Sequence, residues 1–103
     1  MKKKSPRTER RESERAALKI ARQREKLATL EEGGSPERPI AMESASQVEA
    51  HARSISCARC GGSLLVAEHT AETIDHARLR VARMTCPTCG ARRSVYFRLK
   101  TLN

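Results

Sequence analysis

Two C-x-x-C pairs separated by 25 residues, apolar and polar residues alternating around them, and a composition with one Tyr and one Phe together predict the fold class. It is a small β ribbon of three to four antiparallel strands around a four-cysteine metal site, preceded by a basic α-helical or partly disordered N-terminal arm. In a chain of 103 residues with no Trp and with aromatics only at Tyr96 and Phe97, no large core can be assembled, and a staple is needed.

The arm comes first. Residues 1–31 carry eleven Lys and Arg against five Glu, and few helix breakers follow Pro6. On a helix Ala16, Ile20, Leu27 and Leu30 share one stripe, with Arg24 inside it and Leu18 on the far side. Glu14 is spaced to pair with Arg10 and Arg11, Glu12 with Arg15, and Glu25 with Arg22, each pair contributing a few tenths of a kcal/mol (roughly). Alone, such a helix is marginal. Gly33, Gly34, Ser35, Pro36 and Pro39 predict a linker over 32–40, and 41–53 reads as a possible second short helix. Residues 32–53 are thus expected to separate the arm from a domain at 54–103.

From Ser54 the pattern turns β-like: ISC, SLLVAEH, ARLRVARMT and RRSVYFRL, with each cysteine pair lying between two segments. Residues 71–74 carry little β signal and are expected to form the tip between the second and third segments. In the third segment Leu79 and Val81 alternate with Arg78 and Arg80; in the fourth Val95, Phe97 and Leu99 alternate with polar residues. Paired in even register, the odd positions would share an inner face, and Arg78, Arg80, Arg92, Arg98 and Lys100 would surround Tyr96 outside. Such a face suits phosphate contacts and stacking on an unpaired base; an ordinary solvated sheet face is the alternative. Arg83 interrupts the alternation, as a frayed or bulged strand would.

The chemistry is concentrated in C57-A-R-C60-G-G and C86-P-T-C89-G. Two residues between cysteines let both thiolates turn onto one ion, and two such turns complete a tetrahedral shell of Cys57, Cys60, Cys86 and Cys89. Gly61 and Gly90 follow each second cysteine, where the chain must turn with positive φ. One structural zinc is expected, with iron the lesser alternative; paired redox dithiols would call for a βαβ setting that this sequence lacks. Structural zinc supplies on the order of 10 kcal/mol, enough to fold a domain with a thin core. His51, His69 and His76 are expected to be bystanders, since four thiolates fill the shell.

This arrangement over residues 54–100 resembles the zinc ribbons of transcription elongation factors and small RNA polymerase subunits. In the elongation factors an adjacent Asp-Glu pair at the hairpin tip supports transcript cleavage. Here Glu72 and Asp75 are not adjacent, so the resemblance implies the metal-stapled fold and not that activity.

The formal charge of +9 favours polyanionic partners. The function expected is a non-enzymatic binding module for nucleic acid or a nucleoprotein machine, associated with transcription or translation. The alternative is a protein adaptor that docks through residues 8–31, using Ile20, Leu27 and Leu30, and a third, lesser reading is a transcript-cleavage-type factor, which would need the tip carboxylates to hold a catalytic metal. No apolar stretch could span a bilayer and no apolar run follows the basic start MKKKSPRTERR, so a cytoplasmic protein without membrane or small-molecule partners is expected.

Overall fold

The computed structural model describes residues 5–100. Helix α1 (Pro6–Ala28) starts where Ser5, in extended conformation, accepts the Thr8 amide on its side chain at 3.2 Å and Pro6 occupies the first helical turn. It ends at Thr29, whose hydroxyl donates to the Lys26 carbonyl at 2.6 Å, while Arg38 Nη1 donates to the Leu30 carbonyl at 2.8 Å. The expected Arg10–Glu14 pair forms at 3.8 Å; Glu25 turns instead to Arg59, at 3.6 Å. Only Ala28 of this helix is buried, so most of its ~34 Å length stands clear of the body.

Strands β1 (Ile40–Met42), β2 (Leu65–Ile74), β3 (Ala77–Thr85) and β4 (Arg92–Leu99) form one sheet in the order β1-β4-β3-β2. β2, β3 and β4 are antiparallel to their neighbours, as expected, but β1 runs parallel to β4, so the sheet is mixed. This corrects two expectations. The sheet is not purely antiparallel, and residues 32–40 are not an open linker that no strand crosses. Gly33 is buried, its carbonyl accepts the Tyr96 amide at 2.8 Å, and a Cβ built on it would collide with Ile40 and approach Val95. The two glycines let the chain turn closely against β4 and deliver Ile40 into the core.

Residues 41–53 contain a short helix, preceded by a 3-10 turn at Ala45–Gln47 and limited to α2 (Val48–Arg53). Val48 and Ala52, four residues apart on one face of α2, are fully buried among Ile40, Leu64, Ala82, Met84, Val95 and Phe97. The folded body therefore begins near Gly33, not at Ser54. ISC makes only an isolated bridge, Ser56 to Ser63, and not a strand.

The hairpin tip also lies elsewhere than expected. β2 runs on through residues 71–74, and the turn is Asp75–His76, both with positive φ (49° and 68°). Two successive left-handed residues make the twist-matched two-residue hairpin turn, for which Asp is a favoured first residue.

The β3–β4 register is odd rather than even: Ala82 lies opposite Val95, and Val81 opposite Tyr96. The knuckle imposes it. Cys86 donates its amide to the Ala91 carbonyl at 2.8 Å, and the strands then open with Thr85 opposite Arg92. Directly paired residues share a face, so Ala82 and Met84 join Val95 and Phe97 in the core while Leu79 and Val81 lie on the opposite face with Tyr96. Central strand β3 is consequently buried on both sides. Arg83 neither frays nor bulges: it lies opposite Ser94, and the register shift falls in β2, between Val66 and Glu68.

Candidate metal centre

Two tight turns bring the cysteines together. In the first, the Cys57 amide donates to the Gly62 carbonyl and the Gly61 amide to the Cys57 carbonyl, both at 2.8 Å. The second repeats this, Cys86 to Ala91 and Gly90 to Cys86, with the same 2.8 Å lengths. Gly61 and Gly90 take φ values of 78° and 76°, as the repeated C-x-x-C-G signature predicts. Gly62 then sends its amide toward Cys60 Sγ at 3.4 Å.

The four sulfurs all lie within 4.8 Å of one another, with Cys57–Cys89 at 3.6 Å and Cys60–Cys86 at 3.5 Å. A disulfide would bring sulfurs to about 2 Å. A tetrahedral ion with ligand bonds of about 2.3 Å sets its sulfurs about 3.8 Å apart, close to what the two turns provide. The cysteines are thus positioned to coordinate one metal ion, and four thiolates in a tetrahedral cage fit zinc. The donor set divides by burial: Cys57 and Cys86 lie beneath the core, whereas Cys60 and Cys89 are exposed at the rim.

The electrostatics of the bare thiols reflect the crowding. The amides of Cys89 and Thr88, together with the neighbouring thiols, draw the Cys86 thiol down to about 6 against the opposing effect of burial. The Gly62 amide acts in the same direction on Cys60, but the sulfurs of Cys86, Cys89 and Cys57, with burial, outweigh it and push that thiol up to about 12. One thiolate in the cage makes the next harder to form, and a cation relieves the repulsion.

None of the histidines joins the cluster. His51 sets its ring edge-on to Phe97 at 5.9 Å, His69 lies on β2 opposite Ala82 with its Nε2 buried, and His76 is in the hairpin turn. Glu72, considered above as a tip acid, is held within the sheet. Arg83 Nη1 and the Thr70 hydroxyl each donate to its Oε2 at 2.6 Å, and Arg83 in particular lowers its pKa.

The six residues expected to form one basic face are divided. Arg78 and Arg80 have the parity of Ala82 and Phe97, whereas Tyr96 shares the other side with Arg92 and Arg98. Lys100, beyond β4, is 3.1 Å from Glu43 Oε1. Tyr96 itself is half-buried. The sequence had no means of revealing this division, because it follows from the odd register. Comparison of the chain with protein-family models, curated proteins and solved structures finds no match. Among the described residues, no helix is long and apolar enough to cross a membrane.

Proposed function

We propose that the chain is a non-enzymatic zinc-ribbon module that binds nucleic acid or a nucleoprotein of the transcription or translation machinery. In this reading the four cysteines hold one structural zinc and the exposed helix α1 makes the main contact. The observation that supports it is the character of α1: eight cationic residues against four acidic ones on a helix with one buried residue. An element so exposed has little to gain from its own fold, and a phosphate backbone neutralises its charge. Tyr96, Arg92 and Arg98 on the sheet form a smaller second contact, with Tyr96 as a stacking surface.

The adaptor reading draws on the exposed Ile20, Leu27 and Leu30, which are 49%, 60% and 63% accessible. Salt separates the two. Binding of the zinc-loaded full chain to single-stranded and duplex oligonucleotides, titrated at several salt concentrations, should weaken steeply with salt, and deletion of residues 5–27 should flatten the slope by several units. Absence of binding at low salt, or binding that ignores salt, would displace the reading in favour of the adaptor, whereas salt-sensitive binding unchanged without α1 would move the main contact to the sheet.

A further inference from the structure

Strand β4 lacks a paired neighbour along part of its outer edge. β1 pairs with residues 97–99 of β4, and Gly33 takes the Tyr96 amide; before that point no described strand pairs with its outer side. Residues of an antiparallel strand direct both main-chain groups to the same edge, with the edge alternating along the strand. Since the Tyr96 amide points outward to Gly33, those of Ser94 and Arg92 point outward too, and among the described residues their amides and carbonyls have no main-chain partner on that side.

This open edge lies along a cleft of about 290 Å³ between the C-terminal end of α1 and the first cysteine turn. Its lining is apolar at Ala28, Leu64 and Ala91, and three arginines, Arg59, Arg92 and Arg93, face a single acid, Glu25. Arg59 is matched by that acid at 3.6 Å, and Arg93 reaches the Ser56 carbonyl at 3.4 Å, which leaves Arg92 exposed and, among the described residues, without a salt bridge. Unpaired strand edges are templates for an added strand, and a positive lining selects the charge of what is added.

We infer that this edge is a docking site for an extended acidic peptide segment of a partner protein, which adds a short strand along Arg92–Ser94 in line with β1. Main-chain hydrogen bonds to Ser94 and Arg92 supply the affinity. Acidic side chains at alternate positions meet the arginines, and small apolar ones enter the cleft. A second copy of this chain is a poor occupant, because each copy carries +9. The cleft takes Glu25 and Ala28 from the end of α1 and shares Arg92 with the smaller sheet contact proposed above, so competition by an oligonucleotide is one arm of the test.

The test uses the zinc-loaded full chain and a fluorescent peptide of alternating Glu and Val, with a second peptide N-methylated at every other amide. The parent peptide should bind and slow hydrogen exchange at the Ser94 and Arg92 amides. N-methylation on the edge-facing side should weaken binding about tenfold, the loss expected for two main-chain hydrogen bonds. Ser94→Pro should do the same without loss of metal, since its amide makes no bond to β3, and Arg92→Glu should weaken binding severalfold. Should Ser94→Pro fail to fold, the methylated peptide still decides. No binding, or equal binding by both peptides, overturns the proposal; equal binding displaced by oligothymidine would make the cleft a plain anion site.

Discussion

Glu72 illustrates how a single side chain is committed by its neighbours. Arg83 and Thr70 hold its carboxylate and depress its pKa, so its contribution to stability is present above the unfolded-state carboxylate range and is lost as pH falls through the lower folded value. Glu72→Gln should therefore lower the melting temperature at neutral pH, and the gap to the parent should close on acidification; a constant gap would mean that packing, not charge, is responsible. The glycines offer a second comparison at this scale. Gly90 and Gly33 have similar φ, 76° and 84°, but a Cβ on Gly90 meets open space while one on Gly33 meets Ile40 and Val95. Gly90→Ala should cost only the left-handed backbone penalty, roughly 1–2 kcal/mol. Gly33→Ala should cost clearly more in the same unfolding titration, and equal costs would show that the loop yields freely.

At the scale of elements, the segment between the helix and the first cysteine contributes to the core. Deleting residues 5–27 removes no buried side chain, whereas deleting through Met42 removes Gly33, Ile40 and the parallel strand. Thermal unfolding should show the first truncation near the parent and the second well below it; similar melting temperatures would mean that β1 is dispensable. Val48→Ala on α2, fully buried, should cost about 1.5–3 kcal/mol. The sequence made α1 legible through the scarcity of breakers after Pro6 and the stripe of Ala16, Ile20, Leu27 and Leu30, and it made β3 and β4 legible through their alternation. It could not reveal β1, a strand of three residues whose partner is fixed only in three dimensions. Register was hidden for a related reason. Leu79 and Val81 alternate as core residues do, but the hydrogen bonds of the Cys86 turn decide which face they occupy. The cysteine cluster, by contrast, was fully legible, since spacing and glycine placement are local properties.

The described residues measure 66 × 24 × 16 Å, an elongation consistent with a helix projecting from a small sheet. Such a body has a thin core, in which Phe97, Met84, Val48 and Val95 are the largest fully buried side chains apart from Cys86, while Val81 is buried on the other face of the sheet. Two of the four clustered cysteines, Cys57 and Cys86, are also part of the core, so the metal site and the core are continuous. Removing the ion would leave four crowded thiols at the base of that core and no other crosslink, and the two cysteine turns would have nothing to hold them together. A bound zinc is expected to hold the fold, and elemental analysis of the purified chain, followed by chelation while the amide spectrum and the unfolding transition are monitored, checks this. One zinc per chain is expected, with its loss in Cys86→Ser and collapse of the dispersed spectrum when the metal is stripped. A metal-free chain that kept its dispersed spectrum and its cooperative transition would contradict it.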